Sequence, residues 1–160
     1  LFIFIMNKLN KENGSVFFLG ASKETLKKIE SKSLHDYPNI TLDSYSPPYK
    51  AIFSDKDSKS MCDKVNVFKP DVLFVRMTAP KQEKWVHLYK NKLNANTICS
   101  IGAVFDFYAG NIERAPKLMI NLGLEWLYRS FKSSRLLKRN FISNPKFISE
   151  VLISKFKRKQ

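Results

Sequence analysis

Three short groups of side chains in this sequence have the types and spacings that phosphate and sugar chemistry needs. Gly20-Ala21-Ser22 follows an apolar run and opens a polar stretch, so backbone N–H groups and a helix N-terminus can face an anion there. Lys81-Gln82-Glu83 opens a second such stretch. Gln82 can hold a sugar hydroxyl or a phosphate oxygen, or cap a helix, and Glu83 can equally be a first-turn acid stabilising the helix dipole. Asp106 follows an apolar run and sits between Phe105 and Phe107. A carboxylate in that place suits the ribose hydroxyls of a nucleotide, with a helix cap or an ion pair to Arg114 as the purely structural alternatives.

Such groups work only if regular elements hold them. Leu1 to Lys11 reads as a helix stopped by Asn13-Gly14. The run Ser15 to Gly20 predicts a buried parallel strand, and Ser22 caps a helix to about Ser33 with Leu26, Ile29 and Leu34 on one face. Asn39 to Tyr45 predicts a second strand, closed by Pro47-Pro48, before a helix from about Asp57 to Phe68 that turns Met61, Val65 and Phe68 inward. A third strand covers Asp71 to Met77, a third helix Lys81 to Lys92, and a fourth strand Ile98 to Phe105. This alternation implies an α/β fold, Rossmann-like, with a mainly parallel sheet flanked by helices. Ligands in such folds sit at the C-terminal ends of the strands, where Gly20, Pro47, Pro80 and Asp106 fall. From Pro116 the pattern is helical only, with Leu118, Leu122, Trp126 and Leu127 on one face. The expected division is therefore 1–116 for the α/β part and 117–160 for a basic helical appendage.

The chain has 160 residues, 44% of them apolar, enough for one ordinary core. Its net charge of +14 favours anionic partners such as nucleic acid, acidic lipid or phosphorylated small molecules. From Arg129 to Gln160 ten basic side chains face one acid, Glu150. Phe131, Leu136, Leu137, Phe141 and Ile142 interleave with them, as an interfacial helix requires, although a solvated charged face has the same composition. Cys62 and Cys99 have no metal-like spacing; Cys99 reads as a small core residue, and a reducing cytoplasm is expected. The apolar opening Leu1 to Met6 is too short to cross a bilayer and lacks the basic start of a signal peptide. Its first residue is leucine, which suggests an unusual start or a piece of a longer sequence.

Three blocks carry a family resemblance: Ala79-Pro80-Lys81-Gln82-Glu83-Lys84-Trp85, then Ile101 to Gly110 (IGAVFDFYAG) with Arg114-Ala115-Pro116, then Gly123-Leu124-Glu125-Trp126-Leu127-Tyr128-Arg129 with the basic Arg135 to Arg139 stretch. The Phe17-Phe18-Leu19-Gly20 turn and Tyr37-Pro38 support them. In order and spacing they resemble the WecG/TagA/CpsF glycosyltransferases. The resemblance implies transfer of an N-acetylmannosamine-type sugar from a UDP donor to a polyprenyl-diphosphate-linked N-acetylglucosamine, in teichoic acid or other cell-surface polysaccharide synthesis. It implies a metal-free, cofactor-free inverting displacement at the cytoplasmic face of the membrane. Carried onto this sequence, donor binding falls to Gly20, Lys81, Gln82 and Asp106, with Gln82 also the catalytic-site candidate. The acceptor diphosphate falls to Arg129, Arg135 and Lys138, on a segment that docks on the membrane.

The match has gaps. Arg76-Met77-Thr78 stands where the family carries a glycine-containing segment, so long side chains narrow a pocket that expects close backbone approach. The spacing from Arg129 to Arg135 is a residue short. No residue matches the aspartate proposed as the family's general base, which a poorly nucleophilic sugar hydroxyl needs. The expectation is a fragment or decayed copy with little activity alone, whose apolar surface favours self-association. The alternatives are a non-catalytic remnant that binds membrane or nucleotide, and a basic nucleic-acid-binding module, which has the charge without a zinc, RNP-like or recognition-helix pattern.

Overall fold

The run at residues 15–20 folds into the central strand β1 (Ser15–Gly20) because every position from Val16 to Leu19 is apolar and can be buried on either face. A computed structural model describes residues 1–112, 115–124 and 128. The chain divides into two compact units, Leu1–Ile112 and Glu113–Gln160. In the first unit β1 is joined by β2 (Thr41–Tyr45), β3 (Val72–Arg76) and β4 (Thr97–Ser100) in one parallel sheet of order β2-β1-β3-β4. Helices α1 (Phe2–Glu12), α2 (Lys23–Asp36), α3 (Asp55–Phe68), α4 (Lys81–Tyr89) and α5 (Val104–Tyr108) cover it. This is the Rossmann-like α/β arrangement that the alternation predicts.

Strand alternation divides the core in two. Val16 and Phe18 of β1 and Phe74 of β3 meet Phe2, Met6 and Ile29 on one face. Phe17, Leu19 and Leu73 meet Met61, Val65 and Trp85 on the other. Phe17, Phe18 and Phe74 are wholly buried, each contributing roughly 1.5–3 kcal/mol of apolar burial. Phe18 stacks on Phe74 at 6.1 Å and meets Phe105 edge-on at 5.4 Å.

The elements begin and end for local reasons. Asn13 takes the left-handed conformation that stops α1. Ser22 caps α2 as expected, accepting from the Thr25 N–H at 3.2 Å. α3 starts two residues before Asp57, because Ser54 and Asp57 form a reciprocal capping box. The Lys50 ammonium and the Ser54 donors hold the Asp57 carboxyl down at about 2.

Phe68 turns inward with Met61 and Val65, half-buried and packed on Phe17 at 5.7 Å. Three expectations need correction. Leu34 is exposed and Ser33 takes the buried position, since Leu26, Ile29 and Ser33 share the inward face of a helix that runs on to Asp36. The third helix relaxes after Tyr89 into a 3₁₀ turn, Lys90–Lys92. The fourth strand stops at Ser100, where its pairing with Val75 ends; Gly102 then turns the chain at φ 50° and residues 104–108 are helical. In the second unit α6 (Lys117–Asn121) is short, and Leu118 and Leu122 are exposed. Trp126 and Leu127 lie outside the described residues.

Two contacts hold the ends of the sheet. At the N-terminal end, Asp71 Oδ2 accepts from the Ser15 N–H and the Ser15 hydroxyl, both at 2.8 Å, while Ser15 Oγ accepts from the Asp71 N–H at 2.9 Å. Asn96 donates to Asp71 Oδ1 at 3.0 Å, so one carboxylate ties β1, β3 and the approach to β4. At the C-terminal end Gly20, at φ 108°, lies so close to β3 that an added Cβ would stand 1.8 Å from the Arg76 carbonyl oxygen.

Each contact carries a prediction. Asp71→Ala is expected to cost ~1–3 kcal/mol in urea unfolding near neutral pH, because the two part-buried Ser15 donors and the Asn96 amide lose their acceptor. The Ser15 bonds lower the folded-state carboxyl pKa, so this stabilisation is present above the unfolded value of about 4 and disappears as pH falls through the lower folded value. A wild-type-minus-variant difference that stays constant down to strongly acid pH would contradict the role. Gly20→Ala is expected to destabilise by ~3 kcal/mol or more, seen as a large fall in Tm, because both φ and the Arg76 carbonyl oppose a Cβ.

Candidate active site

β1 connects to β2 on one side of itself, whereas β3 lies on its other side. That reversal splays the connections after β1 and β3 and opens a crevice at the C-terminal end of the sheet, the usual ligand position in open α/β folds. A cavity of about 460 Å³ occupies this place. Its rim is built from the turn Gly20-Ala21-Ser22, the segment Ser46 to Tyr49 after β2, Arg76 to Thr78 after β3, and Lys81, Phe53 and Asp106.

The first turn is held by two hydrogen bonds. The Ala21 N–H donates to the Arg76 carbonyl at 3.2 Å, with Ala21 itself in the left-handed region at φ 67°. Ser46 Oγ donates to the Ala21 carbonyl at 2.8 Å, fastening the exit of β2 to the same turn. Ser22, Lys23 and Thr25 then bring the N-terminus of the 14-residue α2 to the cavity, where its dipole favours an anion.

Beside this turn, where Arg76 pairs with Gly20, stands an ion pair that the sequence did not reveal. Arg76, at the end of β3, donates to Asp106 Oδ2 at 2.5 Å, with the carboxylate side chain 15% exposed. Asp106 is thus in the cavity wall as expected, but on a short helix rather than at a strand end, and its partner is Arg76. Arg114 lies outside the described residues. The Asp106 carbonyl accepts from the Asn111 and Ile112 N–H groups at 2.9 and 3.2 Å. Asn111 in turn donates to Thr25 Oγ1 at 2.9 Å, linking the Asp106 segment to the start of α2.

Lys81 lines the cavity as well. Its ammonium donates to the Lys50 carbonyl at 2.6 Å and sits 4.1 Å from the centre of the Phe53 ring. Burial lowers its pKa. The ammonium is therefore positioned before any ligand arrives.

Gln82 is elsewhere. It is buried, its Oε1 accepts from the Met77 N–H at 3.2 Å and its Nε2 donates to Glu83 at 2.8 Å, and it is not among the residues lining the cavity. It braces the turn that carries Met77 and Thr78. The structure thus gathers Gly20, Lys81 and Asp106 around one space and adds Arg76, Ser46, Tyr49 and Phe53, which sequence spacing alone had not marked as site residues. Arg129, Arg135 and Lys138 lie outside the described residues.

Chemically, the crevice offers a helix N-terminus, an anchored ammonium, a guanidinium and one oriented carboxylate. That set suits a phosphorylated ligand that also carries hydroxyl groups.

Comparison with known proteins gives this geometry a lineage. The family model described as "Glycosyl transferase WecG/TagA/CpsF family" matches residues 1–160. A Bacillus spizizenii strain W23 protein is 32% identical over 152 residues, covering 95% of this chain and 57% of the relative. A Bacillus subtilis strain 168 protein is 34% identical over 148 residues, covering 92% and 56%. A Staphylococcus aureus strain MW2 protein is 31% identical over 144 residues, covering 90% and 54%. All three relatives are named N-acetylglucosaminyldiphosphoundecaprenol N-acetyl-beta-D-mannosaminyltransferase. The chain spans little more than half the length of these relatives. With its full length matched by that family model, the chain belongs to the WecG/TagA/CpsF glycosyltransferase family.

Proposed function

We propose that the crevice binds the UDP part of a UDP-sugar, and that the chain serves transfer of an N-acetylmannosamine-type sugar to a polyprenyl-diphosphate-linked N-acetylglucosamine. The observation that supports this best is the joint placement of the α2 N-terminus, Lys81 and the Arg76–Asp106 pair around one cavity at the strand-order reversal. The diphosphate lies at the turn Gly20-Ala21-Ser22 and near Lys81, where the helix dipole and the ammonium offset its charge. Asp106, oriented by Arg76, accepts from ribose hydroxyls. Gln82 acts as a positioning residue through its bond to the Met77 N–H.

The reaction is an inverting displacement. The acceptor hydroxyl oxygen forms a bond to the anomeric carbon as the bond from that carbon to the diphosphate oxygen breaks. UDP departs with the electron pair, and the hydroxyl proton passes to a general base. No residue of these 160 matches the family's base aspartate, so the chain alone is expected to bind donor without robust transfer. The acceptor's diphosphate falls to Arg129, Arg135 and Lys138, on a basic segment that contacts the cytoplasmic face of the membrane. No helix among the described residues is long and apolar enough to cross a bilayer. The product is a precursor of teichoic acid or a related surface polysaccharide.

Calorimetric titration of the 160-residue chain with UDP, uridine and a DNA duplex tests the donor site. UDP is expected to bind more tightly than uridine, with DNA affinity collapsing at moderate salt as phosphate contacts are screened. Lys81→Ala and Asp106→Ala are each expected to weaken UDP by about tenfold, or ~1.4 kcal/mol. Equal affinity for UDP and uridine in the wild type would remove the proposed diphosphate site. Gln82→Ala is expected to behave differently. It strands the buried Met77 N–H and lowers stability by ~1–3 kcal/mol, and weakens UDP only as far as the Met77–Thr78 turn shifts.

A further inference from the structure

The start of α2 is tied to the segment after α5 by a chain of side-chain hydrogen bonds, and the chemistry of its members fixes their direction. An ammonium only donates, so the amide atom 3.0 Å from Lys28 Nζ is the Asn111 oxygen. Glu24, at 3.4 Å, holds the same ammonium from the exposed side of α2. The Asn111 amide nitrogen therefore faces Thr25 and donates to its Oγ1 at 2.9 Å. Thr25 is buried, so its own hydroxyl hydrogen needs an acceptor within the protein, and Ser22 Oγ stands 3.0 Å away. The opposite sense, with Ser22 donating, would strand that buried hydrogen. Ser22 Oγ also accepts from the Thr25 N–H at 3.2 Å. Two donors from Thr25 fill both acceptor positions of the Ser22 oxygen. The Ser22 hydrogen is thus left to donate elsewhere, and Ser22 lines the 460 Å³ cavity.

We infer that Asn111 is a positioning residue for the phosphate in the crevice: through Thr25 it makes the Ser22 hydroxyl a fixed donor to the anion. The inference rests on the donor reading above and deepens it by naming a phosphate contact and the residues that orient it. A free serine hydroxyl rotates and either donates or accepts, whereas a phosphate oxygen offers only acceptor positions. Setting the hydroxyl as donor before the ligand arrives removes a reorganisation cost at binding. The chain also runs one way, from the Lys28 ammonium through Asn111, Thr25 and Ser22, so that each bond polarises the next towards the anion. Asn111 has a second attachment, since its backbone N–H donates to the Asp106 carbonyl at 2.9 Å. One residue therefore sets both the phosphate donor and the backbone beneath the carboxylate that faces the ribose. These are the two walls that a nucleoside diphosphate has to span.

The test titrates the 160-residue chain with inorganic diphosphate, UDP and uridine by calorimetry, with Tm measured for every variant. Thr25→Val keeps the side-chain shape and removes the relaying hydroxyl, Thr25→Ser keeps the hydroxyl, and Asn111→Ala removes the amide but not the backbone bond to Asp106. Thr25→Val is expected to weaken diphosphate and UDP by about tenfold and Asn111→Ala by at least about threefold. Uridine affinity is expected to stay unchanged in both, and Thr25→Ser to bind all three titrants as wild type does. In a Ser22→Ala background the two substitutions are expected to lose their effect on diphosphate, because the hydroxyl they orient is gone. Wild-type diphosphate affinity in Thr25→Val and Asn111→Ala would overturn the inference, and the donor reading would stand if UDP still bound more tightly than uridine. Equal weakening of uridine and UDP, or full effects in the Ser22→Ala background, would also overturn it and reduce the chain of bonds to a structural brace. Diphosphate binding that depends on Thr25 and Asn111, with UDP no tighter than diphosphate, would support the inference and remove the nucleoside part of the donor reading. Absence of both diphosphate and UDP binding by the wild type would remove both.

Discussion

Backbone contact between β1 and β3 at Gly20 governs the placement of nearly everything in the crevice. Because residue 20 has no Cβ, the Arg76 carbonyl can approach until it accepts from the next N–H, that of Ala21. The same contact sets the direction in which β1 leaves the sheet, and hence where the N-terminus of α2 points. It also fixes the end of β3, and with it the Arg76 side chain that orients Asp106. A phosphate-type turn, a cation and a carboxylate thus share one origin, the tight junction of two parallel strands on either side of the strand-order reversal. Ser46 extends the junction to β2 through the Ala21 carbonyl.

The two ends of the sheet are held by different means, and the difference follows from their tasks. The Asp71–Ser15 latch closes the N-terminal end with side-chain hydrogen bonds that satisfy both partners. The C-terminal end is closed by backbone contact, which leaves side chains free to line a cavity. Between them, the wholly buried phenylalanines give the rigidity that a preorganised site requires. Lys81 fits the same logic, since its ammonium is held by a carbonyl and a ring rather than by a carboxylate that would cancel its charge.

Much of this was legible in the sequence where the signal was local. The ends of β1 followed from a continuous apolar run closed by glycine, and Ser22 announced its cap. The misreadings arose where one pattern serves two structures. Residues 98–105 are apolar enough for a strand, but the strand needs a partner, and β3 offers none beyond Val75, so Gly102 turns the chain into α5. Leu34 reads as sharing the inward face with Leu26 and Ile29, yet the folded helix puts Ser33 there instead. The Arg76–Asp106 pair joins residues thirty apart in sequence, and no spacing rule connects them. Gln82 stood in the right block, but its amide is turned to the Met77 backbone, a choice only the folded turn can make.

Arg76 also changes the meaning of a departure from the family pattern. A long side chain where a close backbone approach was expected looks like an obstruction. In the fold, Arg76 leans onto Asp106, and only a third of its side-chain surface remains exposed. An ionised carboxylate has about four acceptor positions, so a bond to one guanidinium N–H leaves capacity for hydroxyl donors. The pair therefore need not break for a ribose to bind, and under the proposed reading the carboxylate that receives it is already oriented. Under the proposed reading, the side chain that narrows the crevice also prepares its carboxylate. The favourable potential for a diphosphate is left to the α2 N-terminus and to Lys81, whose ammonium is held by a carbonyl and a ring.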